Sequence, residues 1–221
     1  MARASDIGNE GTGPAADRYA CILVAVSTES AELFFSLLAV AAGLGSLAYL
    51  GLWIASRLGS DGATSIGRAV AESAPWLAFV VAATATAGSL YFSEVAHFLP
   101  CRLCWFQRVA MYPLSVVLLV GAIRRDPGLR WYVGPIALVG AGVAAYHTLL
   151  EWKPELDTGA CEVFGPSCTD IWFKEFGFLT LASMALIGFL TILLLMFLRF
   201  PATLDSTVLD DGVAPIQETV S

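Results

Sequence analysis

Cys101 and Cys104 are separated by two residues and precede the apolar run 109–123, a spacing typical of redox chemistry. A C-x-x-C pair can close a small disulfide, and a nearby cation or the positive end of a helix dipole favours its thiolate form. If the helix begins near Cys104, Arg108 lies one turn further along the same face, where its guanidinium can approach the sulfur or an anionic acceptor. An arginine inside an apolar span is costly, so its presence indicates a functional site.

Other interpretations of the cysteine pair stay open at this point. A structural disulfide is a common fate of paired cysteines outside the cytoplasm. A zinc site needs four nitrogen or sulfur ligands, and Cys101, Cys104, Cys161 and Cys168 would supply that number. Haem attachment requires a histidine directly after the second cysteine, and Trp105 occupies that position.

The composition predicts an all-α integral membrane protein. Hydrophobic residues make up 57% of the chain and charged residues 14%, against about 45–50% and about 25% in soluble domains. Five apolar runs approach the length of about 20 residues that crosses a bilayer, and each must be helical because lipid offers no partners to the backbone. These runs are residues 33–55, 76–92, 104–123, 132–150 and 176–198, with a predicted link over 56–75.

The polar segments add exclusions and boundaries. The net charge of −7 arises mainly in tails and loops, so it says little about nucleic acid, which is not an expected partner, and it argues against a basic membrane-surface binder. No glycine-rich phosphate loop or dinucleotide fingerprint is present. Residues 1–32 form a polar lead without a cleavable signal, in which Cys21 is predicted to be a buried small hydrophobe. Residues 200–221 are predicted to be a disordered acidic tail.

Topology places the two cysteine loops together. The turn 124–130 carries three arginines and is predicted to be cytoplasmic by the positive-inside rule. Two spans separate the first cysteine pair from the 161–168 loop, so both face the same, extracytoplasmic side, where disulfides persist. The third span starts at this face with Cys104 and Arg108, and the fourth ends there with His147. These three side chains are therefore predicted to share one layer of the outer leaflet, with His147 contacting a ligand.

Three groups of residues resemble the DsbB family of disulfide-forming membrane oxidoreductases, most closely its BdbC-type branch. The groups are Cys101-x-Leu103-Cys104-Trp105-x-Gln107-Arg108, then Tyr146-His147-x-x-Leu150-Glu151, and Phe176-Gly177-Phe178-Leu179-Thr180 after a second cysteine pair. The resemblance covers about residues 76–199. It implies a DsbB-like four-helix transmembrane bundle over 76–199, preceded by one additional N-terminal transmembrane helix over 33–57 that has no counterpart in the family core.

The resemblance also implies a short electron path. A DsbA-type thioredoxin-fold thiol oxidase would be reoxidised at Cys161 and Cys168, with Cys161 forming the mixed disulfide and Cys168 exchanging with Cys101. Electrons would then pass from Cys104 to a membrane quinone, ubiquinone or menaquinone, which Arg108, His147, Gln107 and Trp105 would help to bind. The implied location is the bacterial cytoplasmic membrane, with the protein surrounded by lipid and its cysteine loops extracytoplasmic.

Two alternatives stand beside this interpretation. One is a relative of vitamin K epoxide reductase, in which the redox C-x-x-C lies in the last span of the helical core, whereas here two more spans follow it. The other is a membrane scaffold held by structural disulfides or by a four-cysteine zinc site. A scaffold would tolerate replacement of Arg108 and His147, because neither residue is needed to close a disulfide.

Overall fold

A computed structural model of the protein describes residues 28–157 and 166–201, and within these ranges the all-α prediction is confirmed. A π-helical turn, Tyr91–Val95, and a 3-10 turn, Pro154–Leu156, follow the second and fourth helices. The α-helices are α1 Thr28–Arg57, α2 Asp61–Leu90, α3 Arg102–Arg124, α4 Leu129–Trp152 and α5 Leu181–Phe197. The predictions for Cys21, Cys161 and the acidic tail concern residues outside the described ranges.

The predicted link over 56–75 is wrong for residues 61–75, which form the first half of α2. Ser60 caps this helix, and its hydroxyl accepts a hydrogen bond from the Ala63 N–H at 3.4 Å. Pro75 lies inside the helix, where it removes one backbone hydrogen bond, a loss that neighbouring helices make tolerable in membrane bundles. At 30 residues, α2 is about 45 Å long. It is therefore longer than the hydrocarbon core of a bilayer, about 30 Å.

The protein is a multi-pass membrane protein by the length and composition of its helices. Four of the described helices are long and apolar enough to cross a bilayer, and α5 is a shorter apolar helix of 17 residues. The predicted fifth span began at residue 176, but residues 176–179 form a turn and the helix begins after Thr180. A capping box stops it from starting earlier, because Thr180 and Ser183 each bond the other's backbone N–H through their hydroxyls.

Helices α2 to α5 form a four-helix bundle, in which α2 and α4 each pack against α3 and α5. Its centre is a cluster of buried apolar side chains that includes Leu114, Leu118, Val133 and Phe189. Gly140 permits the close approach of α4 and α5, since a Cβ atom there would lie 2.3 Å from the Phe189 ring.

Helix α1 packs on the outside of this bundle, in the groove between α2 and α5. Polar contacts fix its register, because polar groups in a bilayer gain most from partners on neighbouring helices. Ser36 lies 3.8 Å from the Met184 sulfur, Ser46 and Thr191 share a 2.8 Å hydrogen bond, and Trp53 donates to the Arg199 carbonyl at 3.0 Å. Helices α1 and α5 therefore run in the same direction, starting at the end of the bundle that carries the first cysteine pair.

Candidate functional site

The first cysteine pair caps helix α3. Cys101 is the N-cap residue, one position before the helix begins, and its sulfur accepts the Cys104 backbone N–H at 3.3 Å. The helix thus starts earlier than the sequence indicated, and both sulfurs lie at the positive end of its dipole. The two Sγ atoms are 2.9 Å apart, and both residues are free thiols in this structure.

A buried histidine and glutamine complete the polar contacts of Cys101. The Nε2 atom of His147 lies 3.7 Å from Cys101 Sγ, and its Nδ1 atom lies 3.1 Å from Gln107 Nε2. Because an amide nitrogen only donates hydrogen bonds, Nδ1 is the acceptor and the neutral imidazole carries its proton on Nε2, facing the sulfur. Gln107 therefore sets the tautomer in which His147 can donate to Cys101.

These contacts favour the thiolate form of Cys101. The pKa of the Cys101 thiol is lowered to about 4, chiefly by the hydrogen bond with the Cys104 side chain and also by the contact with His147, while burial acts in the opposite direction. The thiolate form of Cys101 is therefore favoured at neutral pH.

Arg108 is held by the end of helix α2 rather than by either sulfur. Its Nε atom donates to the Ser89 hydroxyl at 3.0 Å, and its Nη2 atom donates to the Ser89 carbonyl at 3.2 Å. Tyr112 donates to the same hydroxyl at 3.2 Å. Sequence reasoning missed Ser89, because a serine in a span rich in small residues gives no signal beyond helix packing.

An apolar cavity of about 260 Å³ opens beside this arrangement, between α1, α2, α3 and α5. Cys104, Gln107 and Arg108 line one end, which we call the thiol end. The wall on the side of α1 consists of Phe35, Leu38, Ala39 and Ala42, which we call the α1 wall. Cys104 is thus the member of the pair that faces the cavity, whereas Cys101 points away toward His147.

Two residues predicted to bind the acceptor do not line this cavity. His147 lies behind Cys101, and the Trp105 side chain is 56% exposed on the outside of the bundle. The Arg108 guanidinium lies over the Trp105 ring at 5.3 Å, a geometry that supports a cation–π interaction. Of the predicted group, the structure brings Gln107 and Arg108 to the cavity, and it gives Trp105 and His147 contacts with residues of the site.

Stacked aromatic rings link the two cysteine loops above the cavity. The Phe98 ring, just before the first pair, stacks on Trp172, just after Cys168, with centroids 4.9 Å apart and planes 8° apart. Phe92 stacks on the other side of Phe98 at 5.6 Å. Phe92, Phe98 and Trp172 all line the cavity, so they close its outer end.

Cys168 is fully buried in the same cluster as Cys101 and Leu150. It is disulfide-bonded, and a backbone group of Cys168 interacts with His147. Since Cys101 and Cys104 are free, this bond does not join the described members of the two pairs. Cys161 lies outside the described residues.

The possible metal ligands are Cys101, Cys104 and His147, whose donor atoms lie within 4.8 Å of one another. Structural zinc sites are almost always four-coordinate. The predicted fourth thiolate from Cys168 does not exist in this state, because that sulfur is in a disulfide.

Comparison with known proteins points to one family. The family model for the disulfide bond formation protein DsbB matches residues 71–199. "Disulfide bond formation protein C" of Bacillus subtilis is 39% identical over 123 residues, covering 56% of this chain and 89% of the relative. A "Probable disulfide formation protein" of Deinococcus radiodurans is 47% identical over 98 residues, covering 44% and 64%. No solved structure shows a significant match. Helix α1 lies outside the region that the family model matches.

Proposed function

The chain belongs to the DsbB family of disulfide bond formation proteins, and we propose that it is a quinone-dependent thiol oxidase that reoxidises a DsbA-type thioredoxin-fold partner. The family itself implies a thiol oxidoreductase that acts in disulfide formation. The observation that carries the finer proposal is the position of Cys104, which faces an apolar cavity beside Arg108 while its neighbour Cys101 packs against Cys168. The thiols of Cys101 and Cys104 thus lie between the disulfide that contains Cys168 and a cavity suited to a lipid-soluble acceptor.

The proposed exchange conserves electrons at each step. The partner's two thiols become a disulfide as the second pair, Cys161 and Cys168, gains two electrons and two protons. The second pair returns to a disulfide as the bond between Cys101 and Cys104 is reduced to the Cys101 thiolate and the Cys104 thiol, and one proton is released to solvent. A quinone, when bound, would be the final acceptor of two electrons and two protons, one proton from the Cys104 thiol and one from solvent.

The chain's own groups have distinct tasks in this scheme. Cys104 presents its sulfur to the cavity, and Arg108 supplies positive charge at the same end, where it would stabilise the negative charge that a bound quinone takes up. The Cys101 thiolate, stabilised by His147, lies 2.9 Å from Cys104 Sγ. From that position the bond between the two sulfurs re-forms when the pair loses two electrons.

The location that we propose is the bacterial cytoplasmic membrane, with the cysteine loops outside. Support comes from Arg124, Arg125 and Arg130, which lie at the end of the bundle opposite the thiols. An extracytoplasmic position also places the second pair where exported thioredoxin-fold proteins are found.

Quinone reduction by the full-length protein in detergent tests the proposal, with a reduced DsbA-type protein as donor. Wild type should turn over and Cys104→Ser should not, while Cys104→Ser should still form a mixed disulfide with the donor through the second pair, which we assign to Cys161. Turnover by Cys104→Ser equal to wild type would overturn the path. No turnover by wild type with ubiquinones or menaquinones would favour a structural role, and metal analysis would then test the Cys101, Cys104 and His147 cluster for zinc.

A further inference from the structure

We propose that helix α1, which the family match does not cover, forms the subsite for the isoprenoid tail of the quinone and thereby sets which quinones the enzyme uses. This inference rests on the proposed function. The observation behind it is that one face of α1 lines the same cavity as Cys104. Phe35, Leu38, Ala39 and Ala42 recur at the three- and four-residue spacing of a single helical stripe.

The cavity exists because α2 and α5 carry small residues where they face α1. Ala85 and Gly88 on α2 and Ala185 and Gly188 on α5 all line it. Side chains this short leave space between the two helices, and that space faces outward from the four-helix bundle. Because α1 lies in the groove between α2 and α5, it closes the cavity on the side that would otherwise face lipid.

The α1 wall extends from the thiol end toward the membrane interior. Phe35 is level with the thiol end, since its ring lies 3.0 Å from where a Cβ at Gly88 would be, next to the Ser89 that holds Arg108. Ala42 is about two helical turns further along α1, beside Gly43, which faces Ile187. A ring bound against Cys104 and Arg108 would thus direct its substituent along Ala39 and Ala42.

The chemistry of the cavity selects an isoprenoid quinone as its occupant. Its lining is overwhelmingly apolar apart from the cluster at the thiol end, which suits a ligand with one polar, reducible end and one hydrocarbon end. The volume, about 260 Å³, lies just below the range of about 300–1,000 Å³ common for small-molecule sites. It therefore suits a ring with the first part of a tail rather than a whole long-chain quinone.

The α1 wall is fixed in place and is not a loosely associated helix. Ser36 contacts Met184 within the stretch that forms the wall, and Ser46 bonds Thr191 one turn beyond Ala42. Substitutions at Ala39 and Ala42 should therefore fill the cavity rather than displace the helix. Ala41 lies on the exposed face of α1 and is the matched control, because a large apolar side chain there meets lipid.

The experiment compares Ala39→Trp, Ala42→Trp and Ala41→Trp in the full-length protein. Two acceptors are used: a menaquinone with a short isoprenoid tail and its tailless analogue with a methyl group in place of the tail. Both lack an open ring position, so neither alkylates thiols. Activity gives KM for each acceptor, and the rise in melting temperature on adding the oxidised quinone gives binding without turnover.

We expect Ala39→Trp and Ala42→Trp to raise KM for the tailed quinone about tenfold or more, because the indole would displace the first part of the tail from its buried apolar contacts. Their KM for the tailless analogue should stay within about twofold of wild type. Both KM values of Ala41→Trp should stay within the same range. The expected tenfold change corresponds to about 1.4 kcal/mol of binding free energy. The thermal stabilisation by tailed quinone should fall in the same two variants. If either tryptophan variant fails to fold, Ala39→Leu and Ala42→Leu decide, with smaller changes in the same direction.

Three results separate the possible failures. If wild type reduces quinone while all three tryptophan variants bind tailed quinone as wild type does, the α1 subsite is overturned and the proposed function stands. If Ala39→Trp and Ala42→Trp weaken the binding of the tailed and tailless acceptors equally, the α1 wall contacts the ring and the tail assignment is overturned. If wild type binds neither quinone and reduces neither, the proposed function fails together with this inference.

Discussion

At the thiol end of the cavity, Cys104, Gln107 and Arg108 come from a single helix, α3, whereas the α1 wall comes from a helix packed on the outside of the bundle. Hydrogen bonds hold Gln107 to His147 and Arg108 to Ser89, whereas the α1 wall is defined by the shape of its side chains. Polar side chains need specific partners when they lie in an apolar environment, and apolar walls need only the right volume. Chemistry is therefore expected to depend on single atoms at the thiol end, and selectivity on side-chain size at the α1 wall.

The largest effect after loss of Cys104 is expected from Arg108→Ala, which removes the only charge among the residues that line the described cavity. We expect kcat/KM for quinone to fall about 100-fold, the scale seen when one stabilising donor is removed from an active site. Steady-state kinetics with the tailed and tailless acceptors should show equal losses, because the charge acts on the ring. A loss of kcat/KM confined to the tailed quinone would contradict the division of roles between the thiol end and the α1 wall.

A pH effect is expected at Cys101, where the lowered pKa of about 4 keeps the thiolate at neutral pH. A depressed thiol pKa contributes stability above the unfolded value, about 8.5, and this contribution is lost as the pH falls through about 4. Replacing His147 by alanine removes a group that lowers this pKa, so the Cys101 titration should move to higher pH by at least about one unit.

The measurement is the thiolate absorbance of reduced wild type and of reduced His147→Ala as a function of pH. From each curve we subtract the absorbance of the same protein carrying Cys101→Ser. His147→Gln serves as the matched variant, since it retains a side-chain donor but not the imidazole ring. A titration that is identical in wild type and His147→Ala would remove His147 from the support of Cys101.

A smaller effect is expected from Ser89→Ala, which removes the hydroxyl that accepts from Arg108 and Tyr112 but leaves the carbonyl that Arg108 also uses. We expect kcat/KM for quinone to fall about three- to tenfold, the loss of one hydrogen bond of about 1 kcal/mol. Ser89→Thr should restore most of the rate, because it returns the hydroxyl. If Ser89→Thr is as slow as Ser89→Ala, the hydroxyl is not what positions the guanidinium.

The thiol end and the α1 wall also differ in how far they could be predicted from the sequence. The C-x-x-C spacing and the arginine one turn on led directly to the thiol end, because short-range patterns on one helix fix which residues share a face. Ser89 and the α1 wall could not be found in this way. Each acts through contacts between helices that are distant in sequence, and helix packing depends on volumes that periodicity does not report.

The sequence by itself determined that this chain is an all-α membrane protein of the DsbB family with a cysteine pair at the start of a span, because hydropathy and short motifs are local properties. It misplaced the start of α2, since the charged residues Asp61, Arg68 and Glu72 suggested a loop where the structure has the first turns of a capped helix. Only the tertiary structure decided that Cys104 faces the cavity, that Trp105 faces outward and that α1 supplies a wall. Those outcomes depend on which helix faces meet, and that is settled by packing among all five helices together.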